Sequence, residues 1–275
     1  MDRYAVIGFP VAHSKSPFIH EMFAKQTKQV LTYGRIEATP EDFQNVVRDF
    51  FSADGKGLNV TVPHKERAWE IVDFRTANSE KAGAVNTLFL SADGRLGGDN
   101  TDGIGLVRDI EQNHQRQLKG AAVLIVGAGG AVRGLLPRLI AAGPARIVIA
   151  NRTVERATAL QTLFADEASL EVRASADLAD LRPDWIINAS SAGLHGEMPA
   201  LPATLIADHT ACYDMVYAAG GTVFQHWARQ HGAVLALDGT GMLVEQAAES
   251  FYIWRGVRPD TKPVLEALRK LLSVG

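Results

Sequence analysis

Short apolar runs in this chain alternate with segments whose apolar residues recur at helical spacing, so strands and helices follow one another throughout. Residues 4–8 predict a first strand. Ser16 before Pro17 predicts a helix start, with serine as the cap and proline at the first helical position, running to about Lys25. Residues 31–36 read as a second strand. Thr39 and Pro40 then open a helix whose apolar face carries Phe43, Val46, Val47 and Phe50. Residues 58–62 alternate, with Leu58, Val60 and Val62 on one face and Asn59 and Thr61 on the other. Residues 84–90 read as a strand closed by a hairpin turn at Ala92-Asp93-Gly94-Arg95, and residues 98–100 read as a turn. A helix over residues 104–113 leads out of this half.

The second half opens with residues 121–126, apolar without interruption, the pattern of a strand buried on both faces of a parallel sheet. A glycine-rich turn at 127–130 follows, then a helix to Ala142, a strand at 146–150 and a helix at 153–164. Further strands are expected at 170–173, 185–188, 211–214 and 233–237, and helices at 242–254 and 259–272 close the chain. This alternation is that of an α/β protein with mostly parallel sheets.

Composition narrows the picture by exclusion. Of 275 residues, 47% are hydrophobic and 21% charged, the balance of a globular protein with a sizeable core. A formal charge of -3, with no stripe of lysine and arginine, gives no electrostatic footprint for nucleic acid. The most apolar window, 120–132, is shorter than the roughly 20 residues a membrane span needs. The N-terminus lacks the pattern of a signal peptide. A lone cysteine, Cys212, fits a reducing cytoplasm.

Two stretches point to a dinucleotide. In Gly127-Ala128-Gly129-Gly130-Ala131, glycine lets the backbone approach a pyrophosphate, and the following helix offers free N–H groups to it. Val132 stands where G-x-G-x-x-G has its third glycine, so the turn gains its meaning from the strand before it and the helix after it. The next strand ends in Asn151-Arg152-Thr153, with Arg156 one turn on, and no acidic residue stands there to accept ribose hydroxyls. A guanidinium suits a 2′-phosphate, which favours NADP over NAD. The plain structural account is a pair of surface arginines flanking a helix start.

The first half holds four polar clusters: Ser14-Lys15-Ser16-Pro17, Asn59-Val-Thr61-Val-Pro63-His64-Lys65, Asn86-Thr87, and Asp99-Asn100-Thr101-Asp102. Two hydroxyls at a helix start could hold a carboxylate; simple capping explains Ser16 but not Ser14. For the second and fourth clusters a solvent face and a turn are adequate bland accounts, and spacing alone does not bring Lys65 to Asp102.

These clusters occur in one order with Ala82-Gly-Ala-Val-Asn-Thr87, Gly98-Asp-Asn-Thr-Asp-Gly103, the glycine turn, Tyr213-Asp-Met-Val-Tyr217 and Gly241-Met-Leu-Val-Glu-Gln246. Taken together, from about residue 4 to 254, they resemble the signatures of the shikimate dehydrogenase family. The resemblance implies reversible NADPH-dependent reduction of 3-dehydroshikimate to shikimate. It implies Lys65 as the proton-transfer residue paired with Asp102. Ser14, Ser16 and Tyr217 would hold the substrate carboxylate, and Asn59, Thr61, Asn86, Asp102 and Gln246 would read the ring hydroxyls. The glycine turn, the segment from Asn151 through Arg156, Met215 and Gly239 would line the NADP site. Asn188-Ala-Ser-Ser191 departs from the family's Asn-Ala-Thr-Ser but keeps a hydroxyl, and Ala77 stands where an acidic residue is common.

The expected architecture is two α/β domains with the active site in the cleft between them. Residues 1–102 would form a substrate domain completed by the C-terminal helices from about 240 to 275, and 103–239 a Rossmann-like NADP domain. The partner implied is a small-molecule substrate, with neither nucleic acid nor membrane, and monomer and homodimer both stay open. A relative that also accepts quinate, with relaxed substrate or NAD use, is the nearest rival. A non-catalytic NADP-binding regulator would have lost Lys65 or Asp102. A hydrolase built on Ser190, Ser191 and His195 lacks the strand–Gly-x-Ser-x-Gly–helix elbow, and the eight histidines show no metal-ligand spacing.

Overall fold

The computed structural model describes residues 1–274. Two compact units emerge, one of Met1–Leu106 with Leu243–Leu268, the other of Val107–Met242 with the stretch from Arg269 onward.

The first unit runs β1 (Asp2–Gly8), α1 (Ser16–Gln26), β2 (Leu31–Glu37), α2 (Phe43–Ser52), β3 (Gly55–Val60), α3 (Lys65–Ile71), β4 (Phe74–Arg75), α4 (Ala77–Ala82), β5 (Thr87–Leu90), β6 (Leu96–Asp99) and the start of α5 (Asp102–Arg108). Its sheet has the order β2-β1-β3-β5-β6-β4. β1 is parallel to β2 and β3, while β5 runs antiparallel to β3 and β6. Alternate residues choose the face. Ala5, Ile7, Leu58, Val60 and Leu88 pack on one side with Phe43 and Val47 of α2 and Ala68 of α3.

In the second unit, β7 (Ala122–Val126), α6 (Gly130–Ala141), β8 (Arg146–Asn151), α7 (Val154–Leu163), β9 (Leu170–Ala174), β10 (Trp185–Asn188), β11 (Ala211–Asp214), α8 (Val223–Gln230) and β12 (Leu235–Leu237) follow one another. Its sheet is parallel throughout, in the order β12-β11-β10-β7-β8-β9. The chain order reverses between β7 and β10, the point at which doubly wound sheets take ligands. The uninterrupted apolar run of β7 follows from burial on both faces.

The chain ends in α9 (Thr240–Arg255) and α10 (Lys262–Val274). α9 closes the second face of the first sheet. Trp254 packs its ring 4.8 Å from that of Tyr4 and donates Nε1–H to the Leu88 carbonyl at 3.0 Å. A Cβ on Gly57 would lie 2.3 Å from Trp254 Nε1, so only glycine fits beneath that indole. Phe251 packs with His20 and Phe23 of α1 on the same side. Among the described residues, no helix is long and apolar enough to cross a membrane.

Several local expectations are overturned. Ser16 is the first residue of α1 rather than its cap; Lys15 holds the cap position, and its side chain makes no cap hydrogen bond. β3 ends at Val60, so Thr61 lies beyond the strand, its N–H given to Ile7 and its carbonyl accepting from His64. β5 begins only at Thr87. Residues 84–86 instead spend backbone bonds on scattered partners: Val85 N–H goes to Lys65, Asn86 N–H to Asp99, and the Asn86 carbonyl accepts from Val60. Residues 98 and 99 belong to strand β6 rather than to a turn. Glycine is needed there for close packing, since a Cβ on Gly98 would fall 2.6 Å from Val85 and one on Gly97 2.5 Å from Phe74. The helix expected at 104–113 begins at Asp102 and changes to a π-helical turn at Asp109–Asn113. α8, opened by a Thr222–Gln225 capping box, went unread in the sequence.

Candidate active site

In the first unit three of the four polar clusters meet. Lys65 stands at the start of α3 and Asp102 at the start of α5, and Lys65 Nζ lies 2.5 Å from Asp102 Oδ2. The lysine side chain is 19% exposed and the carboxylate 7%, so the lysine is partly buried and its partner enclosed. Asp102 Oδ1 accepts from Asn86 Nδ2 at 2.8 Å. That same nitrogen has the Thr101 hydroxyl at 3.0 Å and Gln246 Oε1 at 3.4 Å. An amide nitrogen carries two hydrogens, so the shorter pair claims them. The Asn86 amide oxygen accepts from the Thr101 backbone N–H at 2.9 Å and from the Thr87 hydroxyl at 2.9 Å. Gln246 arrives on α9, where Nε2 donates to the Leu243 carbonyl at 2.8 Å.

These groups are buried: Asn59, Asn86, Thr87, Asn100, Thr101 and Asp102 are each enclosed and bonded, as buried polar groups must be. Asn59 uses its whole amide inside the protein. Its oxygen accepts from Tyr33, and its nitrogen faces Ser250, Thr87 and the Asn86 carbonyl. Ser14 and Ser16 form a separate pair, the Ser14 hydroxyl donating to Ser16 Oγ at 3.2 Å while accepting from the Ser16 backbone N–H at 3.3 Å. Arg35 holds the loop from outside, donating Nε–H and a terminal N–H to the Ser14 carbonyl at 3.0 and 2.6 Å.

In the second unit the glycine turn sits at the reversal point of the sheet. Gly127 has φ 116°, a left-handed conformation that favours glycine, and a Cβ there would lie 2.9 Å from the Ala189 carbonyl at the end of β10. Gly129 caps α6 with no side-chain bond and with open space where a Cβ would be, while Gly130 and Ala131 form the first helical positions. The first-turn N–H groups are therefore available to an anion. Val132, fully buried, faces the interior of the unit. Asn151 ends β8 and donates to the Thr153 carbonyl at 2.8 Å, and the side chains of Arg152 and Arg156 are exposed. This donor set fits a phosphorylated dinucleotide.

Further residues hold the ends of β10 and β11 together. Asn188 donates to Asp214 Oδ1 at 3.1 Å and accepts from the Ser190 hydroxyl at 2.7 Å. Asp214 Oδ1 also accepts from Val216 N–H, and burial pushes the Asp214 carboxyl above its usual range. Met215 N–H is given to the Asn188 carbonyl, and Gly239 N–H to that of Val216. A Cβ on Gly239 would fall 2.3 Å from the Met215 carbonyl oxygen. Tyr217 follows in the same segment, partly buried. Tyr33, Arg35, Ser250, Asn188 and Asp214 escaped the sequence reading as functional residues. Asn188 and Asp214 lay inside quoted motifs, whereas nothing in the local pattern marked the other three. Among the described residues, no three histidine, cysteine, aspartate or glutamate side chains gather as metal ligands would.

A doubly wound sheet with a phosphate-accepting turn, joined in one chain to a unit holding a part-buried lysine–aspartate pair, defines a dinucleotide-dependent dehydrogenase of two α/β units. Comparison with known proteins narrows the class. Residues 6–88 match the shikimate dehydrogenase substrate binding domain, 109–193 the shikimate/quinate 5-dehydrogenase family, and 239–269 the shikimate 5'-dehydrogenase C-terminal domain. A shikimate dehydrogenase (NADP(+)) of Alkalilimnicola ehrlichii is 58% identical over 98% of both chains. An enzyme of Pseudomonas putida called Ael1 superposes with a TM-score of 0.91 at 46% identity, covering 98% of each chain. The shikimate 5-dehydrogenase of Thermus thermophilus, solved with NADP(H) and shikimate, gives 0.86 at 32% identity, covering 98% of this chain and 99% of that one. The chain belongs to the shikimate dehydrogenase family.

Proposed function

We propose that this chain catalyses the reversible NADPH-dependent reduction of 3-dehydroshikimate to shikimate, a step of aromatic amino acid biosynthesis. The reading rests on the Lys65–Asp102 pair at 2.5 Å among buried hydrogen-bonding side chains, in a chain 58% identical to an NADP-dependent shikimate dehydrogenase.

Bound NADPH would supply the hydride that the substrate carbonyl carbon receives. As that carbon is reduced its oxygen needs a proton, and Lys65 Nζ is the group to hand one over, or to take it from the shikimate hydroxyl in the reverse direction. Asp102 accepts from Lys65 with one oxygen and from Asn86 with the other, so the lysine is aimed from a fixed carboxylate. Thr61, Asn86, Asp102 and Gln246 would read the ring hydroxyls, with Asn59 behind them. Ser14, Ser16 and Tyr217 would bind the carboxylate. The α6 N-terminus with Gly127, Ala128, Gly129, Gly130 and Ala131 would hold the diphosphate. Asn151, Arg152, Thr153 and Arg156 would take the 2′-phosphate and adenine, and Met215 and Gly239 would line the rest of the NADP site. The substrate domain is then residues 1–102 with the C-terminal helices. A cytoplasmic setting suits the buried Cys212, whose thiol burial pushes up to about 12.

Absorbance at the reduced-nicotinamide band, with shikimate and quinate each offered against NADP and NAD, tests the reading. Turnover should be greatest for shikimate with NADP. Absence of turnover in all four pairings would overturn it.

A further inference from the structure

β2 is an edge strand, and Tyr33 sits on it opposite Tyr4 of β1. From there its side chain reaches across the sheet face covered by α1 and α9. The ring lies flat against His20, with centroids 4.1 Å apart and planes 5° from parallel. Its hydroxyl lies 2.7 Å from Asn59 Oδ1 and beside the Ser16 hydroxyl. Burial pushes the phenol well above its usual range, so it keeps its proton and donates.

A donor at that position, with the Asn86 carbonyl as acceptor at the other end, sets which way the Asn59 amide faces. An amide's two ends are near in shape and opposite in bonding, and its orientation follows from the network around it. With its oxygen held by Tyr33, the Asn59 nitrogen must face Thr87 Oγ1 at 3.3 Å, the Ser250 hydroxyl at 2.9 Å and the Asn86 carbonyl at 3.3 Å. Thr87 Oγ1 also lies 2.7 Å from the Ser250 hydroxyl; with Ser250 and Asn59 donating to it, Thr87 gives its own proton to Asn86 Oδ1 at 2.9 Å. Together with the Thr101 backbone N–H, which donates to the same oxygen at 2.9 Å, it holds the second amide with its nitrogen facing Asp102 Oδ1 at 2.8 Å. Every donor in the series points the same way, from the edge strand to the carboxylate that holds Lys65. Reversing Asn59 would set its oxygen against the Asn86 carbonyl and draw the Thr87 proton away from Asn86.

We propose that Tyr33 is a positioning residue for the proposed reaction, orienting the Lys65–Asp102 pair through the directional series Tyr33, Asn59, Thr87, Asn86. The inference rests on the proposed role of Lys65. Chains of hydrogen bonds in an enclosed site polarise one another, so loss of the first donor is felt at the last acceptor.

The test is a double-mutant cycle of Tyr33→Phe and Thr87→Val, both near-isosteric, with melting curves to show that each variant folds. Each single change should lower kcat roughly three- to tenfold, as expected for one neutral hydrogen bond. The KM for NADP should stay unchanged, and the kcat pH profile should move with each change. Because both cut one series, the double variant should be no slower than the slower single. Multiplicative losses, or a Tyr33→Phe enzyme with unaltered kcat and pH profile, would overturn the proposal. An unmodified protein inert toward shikimate and NADP would overturn the proposed function instead; a working one matched by Tyr33→Phe removes only the role of Tyr33.

Discussion

Lys65 Nζ and Asp102 Oδ2 lie 2.5 Å apart although 37 positions separate them, and the other oxygen of that carboxylate is bound to Asn86 at 2.8 Å. An asparagine in place of Asp102 keeps the shape but must turn an N–H donor toward either Lys65 or Asn86, both of which donate. Lys65→Ala should lower kcat by about 10²- to 10⁴-fold, the range of a general acid–base contribution, with shikimate affinity by calorimetry changing little. Asp102→Asn should lower kcat and weaken shikimate binding together. A Lys65→Ala enzyme that loses binding but keeps turnover would show the role to be misassigned.

Arg152 and Arg156 follow β8 with exposed side chains. If they hold a 2′-phosphate, replacing either with alanine should raise the KM for NADP about 10- to 100-fold, the worth of charge-assisted hydrogen bonds. The KM for NAD, which lacks that phosphate, should stay within about twofold. Equal losses for both cofactors would point to a structural role.

Gly239 has the Met215 carbonyl where a side chain would begin, 2.3 Å from an added Cβ. Backbone cannot swing aside as the end of a flexible side chain can. Gly239→Ala should destabilise the protein by about 1–3 kcal/mol, lower the melting temperature, and raise the KM for NADP as Met215 is displaced. A variant with unchanged melting and unchanged NADP kinetics would contradict the packing account.

His20 is 1% exposed, and burial lowers its pKa to about 3. In the unfolded chain it returns to about 6.5. Above pH ~6.5 both states are neutral and His20 contributes no pH dependence. Below it, the unfolded state takes up a proton that the folded state refuses, so stability falls on acidification down to about pH 3. The slope is about 1.4 kcal/mol per pH unit. His20→Phe keeps a ring against Tyr33 and removes the titration. Denaturant midpoints measured at pH 7 and pH 5 should therefore differ less in that variant than in the unmodified protein; equal differences would exclude His20 as the source.

The second unit was legible because its sheet is simple. β10 and β11 fall on the residues expected, each opening with three buried apolar residues of the kind a strand covered on both faces shows. The first unit was less so. Residues 84–86 look like a strand but hand their backbone bonds to Lys65, Asp99 and Val60, contacts invisible to periodicity. Gly98, Asp99 and Asn100 look like a turn, yet Gly98 lies in a strand and makes room for Val85. Lys65, Asn86 and Asp102 could be named together only through ordered motifs. Tyr33 and Ser250 carried no such mark: Ser250 meets Asn59 across 191 positions, and the partner that gives it meaning lies in another element.

The late return of the chain to its first unit sets an order on synthesis. Residues up to Leu106 leave the ribosome first, yet the indole that covers Gly57, the Phe251 ring beside His20 and the Gln246 amide near Asn86 come from Leu243–Leu268. Until then that face of the first sheet has only α1 over it and Asn59 lacks Ser250. Most of the parallel sheet of the second unit can close before that point, as domains commonly fold during translation. A nascent chain can therefore close the frame of its glycine turn before the hydrogen-bond network around Asn86 is complete, because Gln246 and Ser250 join that network only once α9 has been made.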